Sequence, residues 1–203
     1  MKRFFFFLLP LLLISCASGR LESDFSPVYV TNSAKFYVLG TNFMSGRIEG
    51  FQRMNASFGE NEFEADVYVI ADKSQLSMSV ISEFGATLAE LFYDGKKLDF
   101  ESSVFPKNLK AEYIVADFQF CLYDEEALKS ALKKSGIDFV EYLEEMQDGN
   151  SEETRILLQK GKEISKITKK YEKNLQTSAN ELKSIKYENF LRGYSYELSG
   201  DFE

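Results

Sequence analysis

Apolar and polar residues alternate with period two from Lys35 onward, and turn residues break the alternation about every 10 positions, the pattern of an antiparallel meander. Lys35 to Leu39 predicts a short first strand. In the next, Phe63, Ala65, Val67 and Val69 share one face while Glu62, Glu64 and Asp66 share the other. Ala71-Asp72-Lys73-Ser74 turns the chain into Leu76, Met78 and Val80, and Phe84-Gly85 leads into Leu88 to Tyr93. Asp94-Gly95, before Leu98 to Glu101, is the strongest hairpin signal and predicts a type I′ turn with φ > 0 at both central residues.

The period changes after Phe105. Pro106 can open a helix at its first position, and Leu109, Tyr113, Ala116, Phe120 and Tyr123 recur at three- and four-residue spacing. Tyr113 to Tyr123 is apolar on nearly every side, with Asp117 and Gln119 as exceptions, so such a helix must be covered on both faces or border an apolar ligand. Ile114, Phe118 and Leu122 lie one turn apart on a common stripe and are the candidate ligand contacts; filling of the core explains the same stripe. Asp124 can cap a second helix, Glu125 to Lys134, with acids in its first turn, lysines in its last and Gly136 at its end. Ile137 to Gln147 admits further helix, and Asp148-Gly149-Asn150 is a loop. Strands resume at Arg155 to Leu158, turn at Lys160-Gly161 and continue from Ile164 to Lys170. Asn174 to Asn180 reads as a polar loop, and Lys183 to Glu188 and Tyr194 to Leu198 flank a turn at Gly193. Strands, then helices, then strands predict an α+β fold, an antiparallel sheet with helices on one side.

The first residues have a different logic. Lys2 and Arg3 precede an apolar run from Phe4 to Ile14, broken only by Pro10, and then Ser15, Cys16, Ala17, Ser18 and Gly19. That is the layout of an export signal over residues 1–15, and the run is too short to cross a bilayer, which takes roughly 20 residues. Leu13-Ile14-Ser15-Cys16 resembles the bacterial lipobox, in which the cysteine is lipidated and becomes the first residue of the mature chain. Cys16 is therefore the expected lipidation site, with two or three acyl chains holding the protein to a membrane at about 0.8 kcal/mol per buried methylene. Residues 16–34 are expected to be lipidated terminus and tether, and residues 35–203 the folded domain. Ala17, where an inner-membrane lipoprotein of enteric bacteria carries Asp, points to the outer membrane and a periplasm-facing domain.

Composition narrows the chemistry. The chain has 24 Lys and Arg against 32 Asp and Glu, and removal of Lys2 and Arg3 with the signal leaves a formal charge of about −10. A polyanion is a poor partner for nucleic acid, whose binding rests on cations neutralising phosphates. With Cys16 acylated, Cys121 is the one remaining thiol, so no internal disulfide can form, and its apolar neighbours mark it as a small core residue. The sequence contains no histidine, which removes Ser-His-Asp and Cys-His catalysis and the usual zinc sites. Neither Gly95-Lys96 nor Gly161-Lys162 has the upstream glycine of a phosphate-binding loop. No catalytic residue, metal site or cofactor is expected. A glycosidase-type carboxylate pair would need two acids lining a cleft, whereas most acids here fall on polar faces. The 19 Phe and 11 Tyr suit a packed core, or a curved sheet with room for an elongated apolar ligand beneath its helices.

One stretch carries more than periodicity. Phe105-Pro106-Lys107-Asn108-Leu109-Lys110-Ala111-Glu112-Tyr113-Ile114-Val115-Ala116-Asp117-Phe118-Gln119-Phe120, followed by Glu125-Glu126-Ala127-Leu128, resembles a family of bacterial lipoproteins of unknown function. The strand Phe63 to Val69, the Tyr93-Asp94-Gly95 hairpin and the closing Ile185-Lys186-Tyr187-Glu188-Asn189 with Gly193-Tyr194 are similar too, so the likeness covers most of residues 35–199. The family is related to the outer-membrane lipoprotein receptor LolB and the carrier LolA. The resemblance implies a LolA/LolB-like half-barrel, an incomplete antiparallel β-barrel around a hydrophobic cavity with helices across the opening. The family's genes often accompany aryl-polyene biosynthesis clusters, which implies handling of an aryl-polyene lipid or a lipoprotein at the outer membrane. Two departures stand out. Ile137 to Glu152 is longer and more acidic than the family pattern, and LolB's exposed loop leucine has no assigned counterpart, Leu39 and Phe43 included. The expectation is a non-enzymatic, membrane-anchored lipoprotein that binds or transfers an apolar ligand: a lipid, a lipoprotein acyl chain or an aryl-polyene lipid. The rival is an anchored scaffold with a fully packed core that works through protein partners.

Overall fold

A computed structural model describes residues 25–174 and 176–202. Two short strands, β1 (Val28–Tyr29) and β2 (Lys35–Phe36), pair only with each other. Five strands follow, β3 (Ile48–Phe58), β4 (Asn61–Ala71), β5 (Leu76–Ile81), β6 (Thr87–Tyr93) and β7 (Leu98–Ser102). Helices α1 (Ala111–Leu122) and α2 (Glu125–Lys133) come next. The chain closes with β8 (Asp138–Glu145), β9 (Ser151–Gln159), β10 (Lys162–Lys173), β11 (Asn180–Asn189) and β12 (Tyr194–Gly200).

β3 to β12 form one antiparallel sheet of ten strands in the order β7-β6-β5-β4-β3-β12-β11-β10-β9-β8. Each half is a meander in which every strand pairs with its sequence neighbour, as short hairpin turns require. The halves are sewn together where β12 pairs with β3, Tyr194 opposite Phe58 and Leu198 opposite Met54. The edges β7 and β8 do not pair with each other, so the barrel is incomplete, and the connection between them carries both helices.

Alternation explains the inner face. Ala65, Val67, Val69 and Ala71 of β4, Leu76, Met78 and Val80 of β5, and Ala89, Leu91 and Tyr93 of β6 are all buried, and the same face continues through Leu198, Ile185, Tyr187, Ile167 and Leu157. Glu62, Glu64 and Asp66 of β4 lie on the outer face, where Arg53 bridges Glu64 and Asp66. α2 keeps the predicted cap: the Asp124 carboxylate accepts from the backbone N–H of Ala127 at 3.0 Å.

Several expectations are corrected. The strand expected over Lys35–Leu39 pairs only at Lys35 and Phe36, in the small sheet. β3 was not foreseen, because its inner positions hold Gly50 and Gln52 among Ile48, Met54 and Ala56 and blur the apolar alternation. α1 begins at Ala111, and Pro106 instead accepts from the N–H of Leu109 in a preceding turn. Ile137–Gln147 is not helix: Phe139, Tyr142, Leu143 and Met146 have a spacing that fits a helix, yet residues 138–145 pair along β9. The Asp94-Gly95 hairpin exists, but its loop runs from Asp94 to Lys97. The Asp94 carboxylate gathers the N–H groups of Lys96 and Lys97, and of the pair only Gly95 has positive φ, +91°. The two-residue turn with φ > 0 at both positions is Lys160-Gly161, at 53° and 76°. The packed part of the chain starts before Lys35, since Val28, Val30 and Ala34 are buried. Residues 1–15 and Cys16 lie outside the described residues.

Candidate functional site

α1 lies along the trough formed by the inner face of the sheet, and each of its sides meets something different. On one side Tyr194 donates its hydroxyl to the Asp117 carboxylate at 2.7 Å, and the Cys121 sulfur stands 3.8 Å from the Tyr196 hydroxyl. Tyr187 stacks on Tyr196 with ring centroids 5.3 Å apart, and the Asn189 amide donates to the hydroxyls of Tyr187 and Tyr194. Burial pushes the Asp117 carboxyl up to about 7, against the pull of the Tyr194 and Tyr187 hydroxyls and of Arg192. Burial likewise pushes the Cys121 thiol up to about 12, so it stays protonated and unreactive.

On the opposite side the Gln119 amide pairs with the backbone of Leu39. Leu39 N–H donates to Oε1 at 2.9 Å, Nε2 donates to the Leu39 carbonyl at 2.7 Å, and the Tyr93 hydroxyl donates to the same carbonyl at 2.8 Å. The solvent side of the helix is roofed by residues 25–44, with Phe36 on Phe120 at 4.9 Å between ring centroids and the N–H of Tyr29 donating to the Tyr113 hydroxyl. At about 100° per residue, Ile114, Phe118 and Leu122 fall opposite Phe120, toward the floor of the trough. Phe118 is 6% and Leu122 5% exposed, while Ile114 is half-buried against the same core.

The end of α1 rests on charge. Arg155 of β9 donates from Nη1 to the carbonyls of Phe120 and Tyr123, the orphaned acceptors of the last helical turn. Its Nε donates to Glu153 at 2.8 Å and lies 2.7 Å from Glu141, while Lys169 and Tyr171 of β10 also donate to Glu153. Burial would raise the Glu153 carboxyl, but Lys169 and Arg155 beside it hold it below the usual range. Burial raises Glu141 and lowers the Lys169 ammonium. The acids of this cluster are thus paired with cations.

Among the described residues, Gln52 Oε1 is buried without a hydrogen-bond partner. A concavity of about 790 Å³ runs along β5 to β7, with Ser77, Ser79, Glu90, Phe92, Asp99 and Glu101 among its lining residues. Among the described residues no cluster of metal-ligating side chains could hold an ion, and no helix is long and apolar enough to cross a membrane.

The structure brings Ile114, Phe118 and Leu122 together on one stripe and leaves Cys16 outside its range. Leu39 is buried and Phe43 packs on the core, whereas Phe84, Phe190 and Leu191 are among the apolar residues exposed at turns. Sequence reading missed Arg155, Lys169, Glu153 and Glu141. Their one signal was a charge at an inner-face position of a strand, Lys169 two residues from Ile167 and Arg155 two from Leu157.

A family model described as "Protein of unknown function (DUF3261)" matches residues 50–199, in agreement with the resemblance seen in the sequence. No curated protein matches. The fold is similar to that of a LolA superfamily protein, NE2245, from Nitrosomonas europaea, with a TM-score of 0.38 and 8% identity over 81% of this chain and 89% of that one. It is also similar to a domain from Vibrio parahaemolyticus named as an outer membrane lipoprotein-sorting protein, with a TM-score of 0.33 and 12% identity over 78% and 85%. At these scores the likeness assigns no ligand and no residue role.

Proposed function

For this chain, which belongs to the DUF3261 family, we propose a non-enzymatic, lipid-anchored binding protein of the bacterial outer membrane that takes an apolar chain into its half-barrel. The ligand class is a lipid, a lipoprotein acyl chain or an aryl-polyene lipid. Cys16 carries the anchor, and Ile114, Phe118 and Leu122 are the helix side of the binding surface. One observation carries the reading: α1 fills a largely apolar trough, yet its seams are polar. Asp117, Gln119 and the carbonyls capped by Arg155 all sit at the helix boundary. A permanent core helix gains most from apolar seams. Groups that water can satisfy on separation reduce the cost of parting, so these seams suit a helix that leaves.

The scaffold reading has an observation of its own. Val115, Ala116, Leu128 and Leu132 are fully buried and Phe118 and Leu122 nearly so, and such a core needs no ligand. Native mass spectrometry of protein purified from its own membrane separates the two. A lipid-sized adduct, lost on solvent extraction and replaced by a fluorescent fatty acid, is expected. A single unliganded mass together with failure to take up the fatty acid would favour the scaffold.

A further inference from the structure

The roof over α1 is not part of the barrel. Residues 25–44 form a strap whose two strands pair only with each other, so no β-ladder joins it to the ten-stranded sheet. Buried apolar side chains, Val28, Val30, Phe36 and Val38 among them, and separate hydrogen bonds hold it instead. Arg192 reaches the Tyr29 carbonyl, Ser135 the Lys35 carbonyl, and Thr41 donates to the Asp94 carbonyl. Ser45 N–H donates to Leu122 at the end of α1, and Asp124 N–H to Phe43. Most of these hydrogen bonds lie at or near solvent.

One polar fastening is buried. Leu39, Gln119 and Tyr93 are 3%, 0% and 0% exposed, and their three hydrogen bonds satisfy both backbone groups of Leu39 as a neighbouring strand would. Breaking any one alone strands a polar group in the interior, so the three break together or not at all. If α1 shifted under a stationary strap, the Leu39 N–H would lose its partner and Phe120 would be pulled from Phe36. If the strap lifts, water satisfies the same groups.

We propose that the strap is the latch of the helix: the trough opens when Leu39 leaves the catch made by Gln119 and Tyr93, and α1 moves only after it. The proposal rests on the reading of α1 as a movable lid. It also gives the anchor a mechanical role. Eight residues lie between Cys16 and Phe25, so a lipid at Cys16 holds the strap within about 30 Å of a membrane, and a pull on the tether acts on the latch before it acts on the barrel.

Hydrogen exchange read by mass spectrometry on the full chain tests this. Gln119→Leu removes two bonds of the catch at similar volume, and Tyr93→Phe removes the third should the first variant fold poorly. Peptides covering 28–40 should exchange roughly tenfold faster or more, as loss of net hydrogen bonds of about 1 kcal/mol each implies. Peptides covering 111–123 should follow, while those from β4 and β5 keep their protection. A loosened strap over an α1 that stays protected overturns the latch, and so does equal loss of protection in β4 and β5 in both variants. Uptake of a fluorescent fatty acid, measured on the same samples, reports on the ligand reading separately. Coupled exchange of strap and helix with no uptake by any form would sink the ligand and leave the latch standing.

Discussion

Phe118→Ala is the perturbation that bears most directly on the trough. The ring is 6% exposed, on the stripe of α1 that faces the sheet. Removing a buried ring forfeits about 1.5 to 3 kcal/mol of transfer free energy, and the space left beneath a helix held on three other sides cannot collapse freely. The total expected loss is about 3 to 5 kcal/mol. For a domain of this size that lowers the melting temperature by roughly 6 to 20 °C. Urea unfolding followed by circular dichroism gives the loss directly, and Ile114→Ala, at a half-buried position of the same stripe, should lose less. A loss below about 1 kcal/mol would refute the packing described for Phe118. The ligand role is judged separately, by titrating the folded fraction with a fluorescent fatty acid. If Phe118 borders the chain, binding weakens; a large stability loss with unchanged binding would remove this residue from the ligand surface.

Cys16→Ser should abolish incorporation of labelled palmitate, and label persisting in that variant would end the anchor proposal. Gly95→Val should cost more than about 1 kcal/mol, because its φ is +91° and an added Cβ would lie 3.3 Å from the backbone nitrogen of Thr41; an unchanged melting temperature would contradict this loop geometry. Asp117 should make stability depend on pH. Burial raises its folded carboxyl to about 7 from an ordinary 3.8, so the folded state holds the proton more tightly, and the contribution is complete below about pH 4 and lost as pH rises through 7. Urea midpoints of the wild type should therefore fall relative to Asp117→Asn across that window and run parallel above it. Parallel curves throughout would show that the carboxyl is not perturbed.

The sequence by itself determined the elements whose residues follow a single rule. Every fully buried position of β4 to β6 holds an apolar residue at period two, Asp124 stands where a helix needs an acceptor, and Tyr113 to Tyr123 is too apolar for any surface. The stripe of Ile114, Phe118 and Leu122 was legible for the same reason, being fixed by helix geometry alone. Tertiary structure decided the rest, wherever a residue's place depends on a partner far along the chain. Residues 138–145 carry an apolar spacing that suits a helix as well as a strand, and pairing with β9 chooses the strand. Gln52, Arg155 and Lys169 occupy inner positions that local patterning reserves for apolar side chains. They are tolerated because Asp201, the end of α1 and Glu153 supply acceptors for their N–H groups. The catch at Leu39 is the extreme case, since its partners lie 54 and 80 residues away and no local rule of spacing joins them. Hydrophobic periodicity records which face of an element is buried; it is silent on what that face is buried against.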